Sequence, residues 1–88
     1  MAKTHKVTIG DTEYTLQSVS PSWYMDQNDK YGMTGGKKDT AKYMDVMFRN
    51  VVIAPTEVAQ GGMKYFDEND DIKTAVDLLK EIESFLYG

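Results

Sequence analysis

Cysteine is absent from the chain, which excludes both a disulfide framework and a thiolate zinc site. Histidine occurs once, as His5, in an N-terminal stretch expected to fray. A nucleophile needs a base that something else orients, and one terminal imidazole without a thiol gives such a pair little to build on. Long apolar runs are also missing: none approaches the ~20 residues that span a bilayer, and Met1-Ala2-Lys3-Thr4-His5-Lys6-Val7 lacks the apolar core of a secretory signal. No membrane partner is expected, and the protein should stay in the compartment that makes it. Basic charge is scarce, with 10 Lys and Arg against 14 Asp and Glu for a net charge of -4. Lys37-Lys38 is the only adjacent basic pair, so the chain has no basic patch for a nucleic-acid backbone.

What is present fits one small domain over residues 1–88. Hydrophobic residues make up 41% and charged residues 27% of the chain, the range of an ordinary globular protein. A domain of this size buries about 60–65% of its unfolded surface. Its core is therefore modest, and association with a partner or with copies of itself adds stability.

Lys6-Val7-Thr8-Ile9 and Glu13-Tyr14-Thr15-Leu16-Gln17 alternate polar with apolar residues around Gly10-Asp11, the pattern of a β-hairpin. Val7 and Ile9 share one face of the first strand and Tyr14 and Leu16 one face of the second, which gives the hairpin an apolar side that must be covered. Ser20-Pro21 then sets a helix start, with the serine as cap and the proline at the first helical position. This helix is expected to reach Tyr31, where Gly32 ends it.

The segment 32–38, with Gly32, Gly35 and Gly36, reads as a flexible connection. A second helix begins at Asp39 or Thr40, carries Ala41, Tyr43, Met44, Met47, Phe48, Val51 and Val52 on a broad apolar face, and must stop before Pro55. The β-branched run Val51-Val52-Ile53 suggests extended chain at its end. Residues 56–66, broken by Gly61-Gly62, read as irregular. A third helix over about 71–86 has Ile72, Val76, Leu79, Ile82 and Leu86 in one stripe, widened by Ala75, Leu78 and Phe85. The expected fold is α+β, an N-terminal β-hairpin followed by three α-helices.

Two short motifs invite a chemical reading and fail it. Asp67, Asn69 and Asp71 imitate the start of a calcium loop, but Ile72 stands where the sharp turn needs glycine and Leu78 where a bidentate glutamate must close the sphere. Acids immediately before a helix are accounted for by capping and by the positive helix end. Gly35-Gly36-Lys37-Lys38 resembles a phosphate-binding loop, yet Tyr31 replaces the first glycine and Lys38 the Ser or Thr. No metal, cofactor or catalytic residue is assigned, and the chain is expected not to be an enzyme.

Apolar material is more abundant than a hairpin and three short helices comfortably hide. Trp23, Tyr24 and Met25 in the first helix, with Tyr43, Met44 and Met47 in the second, are the candidate partner-binding residues. Methionine suits an adaptable surface, although each methionine taken singly also fits as core filler.

Four segments in order, Glu13-Tyr14-Thr15-Leu16-Gln17, Ser22-Trp23-Tyr24, Asn50-Val51-Val52-Ile53-Ala54-Pro55 and Glu81-Ile82-Glu83-Ser84-Phe85-Leu86, resemble the small tail assembly chaperones of long, non-contractile-tailed bacteriophages and prophages. The resemblance spans most of the chain and rests on the order and spacing of these segments. It implies a non-catalytic protein of the bacterial host cytoplasm that coats the tape measure protein, recruits tail tube protein subunits and is left out of the mature virion. Two alternatives stay open: a head–tail or tail component retained in the virion, and a small prophage-encoded regulatory protein that binds a host factor. Self-association into a homo-oligomer is compatible with each.

Overall fold

The computed structural model describes residues 3–31 and 40–87. The glycine-rich connection and the Asp39 cap position lie outside these residues.

Strands β1 (Thr4–Ile9) and β2 (Thr12–Gln17) form the hairpin, with Ile9 opposite Thr12, Val7 opposite Tyr14 and His5 opposite Leu16. Gly10 has φ +62° at the first central position of the two-residue turn, the place where a hairpin turn of this kind favours glycine. The register puts Val7 and Ile9 on the same face as Tyr14 and Leu16. Tyr14 and Leu16 are buried and the two β1 residues pack against the core edge. His5 does not belong to a frayed end, as the sequence suggested: it is held in the β1 ladder, and its ring stacks on Phe85 at 5.4 Å.

Helix α1 covers Pro21–Tyr31, and the Trp23 amide donates to Ser20 Oγ at 3.2 Å. That bond satisfies one of the otherwise unpaired first-turn amides. Ser20→Ala is expected to lower stability by about 1 kcal/mol, read as a shift of the urea midpoint with an unchanged denaturant slope.

Helix α2 (Thr40–Val51) runs directly into strand β3 (Val52–Ala54), which pairs antiparallel with β2 and makes the sheet order β1-β2-β3. β-branched residues just before a proline favour extended backbone, and the switch is pinned by Gln17 Nε2 donating to the Asn50 carbonyl at 2.9 Å. Val52 faces the core while Ile53 faces outward, the alternation of a strand.

Residues 56–66 are not irregular. They begin two short helices, α3 (Thr56–Gly61) and α4 (Met63–Glu68), each burying one large side chain, Val58 and Phe66. The α3–α4 corner is tied to α2: Asp45 Oδ1 accepts from the Met63 amide at 3.0 Å and from Arg49 Nε at 3.1 Å, and Arg49 donates to the Gly61 carbonyl at 3.3 Å. Helix α5 (Ile72–Tyr87) follows, with Asp71 as its cap, accepting from the Thr74 amide at 3.2 Å.

The fold is thus α+β, with a three-stranded antiparallel sheet in place of a bare hairpin and α3 and α4 added to the three long helices. Helix α2 is central, packing on β2, β3, α1, α3, α4 and α5, while α5 also crosses β1. One cluster of buried residues joins all these elements except β1 and includes Phe48 against Phe66, ring centroids 5.1 Å apart. Among the described residues no helix is long and apolar enough to cross a membrane.

Candidate docking surface

The six residues singled out from the sequence do not form one accessible face. Tyr24, Tyr43, Met44 and Met47 belong to the buried core, Trp23 is half-buried, and only Met25 is open to solvent at 59% exposure. The physical reason is the position of α2. A helix packed against six other elements has Tyr43, Met44, Met47, Phe48 and Val51 covered, and α4 supplies cover that a three-helix arrangement would have lacked.

Tyr43 shows how completely this seam is used. Its hydroxyl donates to Glu83 Oε2 at 3.2 Å and is hydrogen-bonded with Tyr24, whose own hydroxyl donates to Tyr87 at 3.0 Å. Burial, then the bond with Tyr24, then the negative Glu83 push the Tyr43 phenol far above its usual range. The network links α1, α2 and α5 and is structural. Among the described residues no buried side-chain polar atom lacks a partner, and no group of three or more His, Cys, Asp or Glu is placed to hold a metal ion.

Among the described residues the accessible apolar surface lies mainly on α5. Ile72 is 80% exposed, Tyr87 76% and Val76 39%. With the half-buried Leu79 and Glu83 they form a row at i, i+4, i+7, i+11 and i+15, within about 80° of arc and about 22 Å long. The core side of the helix is instead the line Ala75, Leu78 and Ile82.

At its N-terminal end the row borders a groove of about 380 Å³, with Met44, Met63 and Phe66 as floor and Ile72, Ala75 and Val76 as wall. Asp67, Asp70 and Asp71 form the rim. At the other end a smaller hollow of about 160 Å³ lies between Val19, Pro21 and Met25 on one side and Leu86 and Tyr87 on the other.

Comparison with protein-family models, with curated proteins and with solved structures gives no match. A row of this spacing is the seam by which one helix packs on another, and among the described residues Ile72 and Tyr87 stay 80% and 76% exposed. The sequence carried a signal for it: the apolar positions of α5, from Phe85 round to Val76, span about 180° of the helix, against the ~100° stripe that a core-facing helix typically shows. Met25 is the one exposed residue of the expected site, and it adjoins this surface through the hollow beside Tyr87, while Met44 and Tyr24 reach it only as buried lining of the groove and the hollow.

Proposed function

We propose that the chain is a non-catalytic protein-binding domain that acts as a tail assembly chaperone, holding a tape measure protein in the host cytoplasm and recruiting tail tube protein before the virion is complete. The single observation that carries protein binding is the exposed α5 row, with Ile72 at 80% exposure beside an apolar groove. Isolated exposed apolar residues are ordinary, but a helical row leading into a groove is the form of a partner site. The phage assignment is supported by the ordered resemblance, whose segments lie in β2, α1, the α2–β3 junction and the second half of α5.

The surface suits a client that must later be released. Its apolar residues are separated along one helix rather than massed in one patch, so contacts with a long partner are individually weak and can be displaced one at a time.

Co-expression with the tape measure protein encoded in the same genome tests the reading. The tagged domain is expected to co-purify with it, and Ile72→Lys/Val76→Lys is expected to reduce the recovered partner at least tenfold while the domain stays folded by circular dichroism. Absence of co-purification by the unaltered domain, or abundant chain in finished particles by mass spectrometry, would remove the chaperone assignment.

A further inference from the structure

The groove at the start of α5 combines an apolar interior with an edge of one charge. Asp67 and Asp70 are exposed and Asp71 half-exposed, and the groove they edge is apolar on its floor and wall. The ion pairs Lys6–Glu13, Asp45–Arg49 and Lys73–Asp77 use none of these three carboxylates, and Lys73, which Asp71 attracts, makes its ion pair with Asp77 instead. Asp71 uses one oxygen to cap α5.

We propose that this surface binds an amphipathic helix of the partner that carries Lys or Arg beside its apolar stripe, one apolar side chain entering the groove and basic side chains meeting Asp67, Asp70 and Asp71. The assignment rests on the protein-binding reading above and adds the chemistry of the partner. Three features of the surface support it together. The i, i+4, i+7, i+11 spacing of Ile72, Val76, Leu79 and Glu83 matches a helix lying alongside. The groove volume is at the lower end of the ~300–1,000 Å³ range of ligand pockets, enough for anchoring side chains. The acidic rim, on a chain of net charge -4, attracts a basic partner and repels an acidic one, which sets selectivity and association rate more than total affinity. A second copy of this chain carries the same net charge of -4 and is disfavoured as the occupant by like-charge repulsion.

Two fluorescein-labelled synthetic helices test the assignment, identical in their leucine heptad stripe and differing only in having Lys and Arg, or Glu, at the flanking positions. Anisotropy titration is expected to give at least tenfold tighter binding of the basic helix, with an affinity that falls on raising NaCl from about 50 to about 300 mM as the charges are screened. Asp67→Asn/Asp70→Asn/Asp71→Asn keeps side chains that cap and tolerate turns, and is expected to remove roughly tenfold of that affinity and most of its salt dependence. Ile72→Lys/Val76→Lys is expected to abolish binding of both helices.

Equal affinity for the two helices, or binding that survives Ile72→Lys/Val76→Lys, would overturn the assignment. So would self-association in sedimentation equilibrium that this double variant removes, since a second copy would then occupy the row. If the tape measure protein still co-purifies through Ile72 and Val76 while the synthetic helices show no preference for charge, the chaperone reading stands and the basic-helix inference falls.

Discussion

Gly62→Ala is expected to cost the domain about 3 kcal/mol, measured as a fall in the urea midpoint. Gly62 sits at φ +57°, ψ −133° between α3 and α4, a region that non-glycine residues reach only at a cost of about 1–3 kcal/mol. A Cβ there would also run into the Asp45 carboxylate and the Arg49 side chain, which are themselves fixed by bonds to the Met63 amide and the Gly61 carbonyl. Relief of the overlap therefore breaks the tie between the α3–α4 corner and α2. Net stabilities of small domains are about 5–15 kcal/mol, so the loss is a large fraction of the whole. Gly61→Ala is the control. Its Cβ would meet only Tyr65 Cβ, at an ordinary 3.6 Å, and alanine is the better residue in a helix by up to about 1 kcal/mol. An equal loss from both substitutions would show that the corner needs general flexibility rather than the backbone geometry of Gly62.

This corner also marks where the sequence stops being readable. Gly61-Gly62 is visibly a break, but helices of six residues are too short to display a period, and isolated segments of that length have little helical stability of their own. What holds α3 and α4 is tertiary: Val58 and Phe66 in the core, and Asp45 and Arg49 reaching over from α2. The hairpin, α1 and α5 are different cases. Gly10-Asp11 encodes the turn, Ser20-Pro21 the start of α1 and Asp71 the start of α5, each through chemistry within three residues of the boundary. The β-branched run before Pro55 signalled extended chain, although its pairing with β2 depends on residues nearly forty positions earlier.

The accessible apolar surface was legible as an excess of apolar residues, but the sequence put it on α1 and α2 where the structure exposes α5. The face of α2 and the wide stripe of α5 both exceed what a single neighbour can cover, and periodicity cannot say which of them lies at the centre. Six neighbouring elements cover the Tyr43, Met44, Met47, Phe48 and Val51 face of α2, whereas α5 flanks the core and packs on α2, α4 and β1. Its unused arc is therefore the accessible one, and Met25 stays with it because α1 ends up beside the C-terminal end of α5 through the Tyr24–Tyr87 bond.

The opposite outcomes of one substitution chemistry at Met47 and Ile72 separate core from surface. Met47→Lys places an ammonium group at a position with no solvent exposure, and desolvating an unpaired charge costs several kcal/mol on top of the lost packing. The domain is expected to be unfolded at 25 °C, with the far-ultraviolet dichroism of a disordered chain. The milder Met47→Ala is expected to remain folded but to lose about 2–5 kcal/mol, the range for truncating a long apolar side chain in a core. Ile72→Lys should change the urea midpoint by no more than about 0.5 kcal/mol equivalent, because the side chain is already 80% exposed and lysine is a good helix former, while partner binding falls. The two residues thus invert each other: Met47 governs whether there is a fold, and Ile72 governs what the fold can hold. Partner binding lost in a folded Met47→Ala domain but retained in Ile72→Lys would move the docking surface back to α2 and require the core around Met47 to open when the partner arrives.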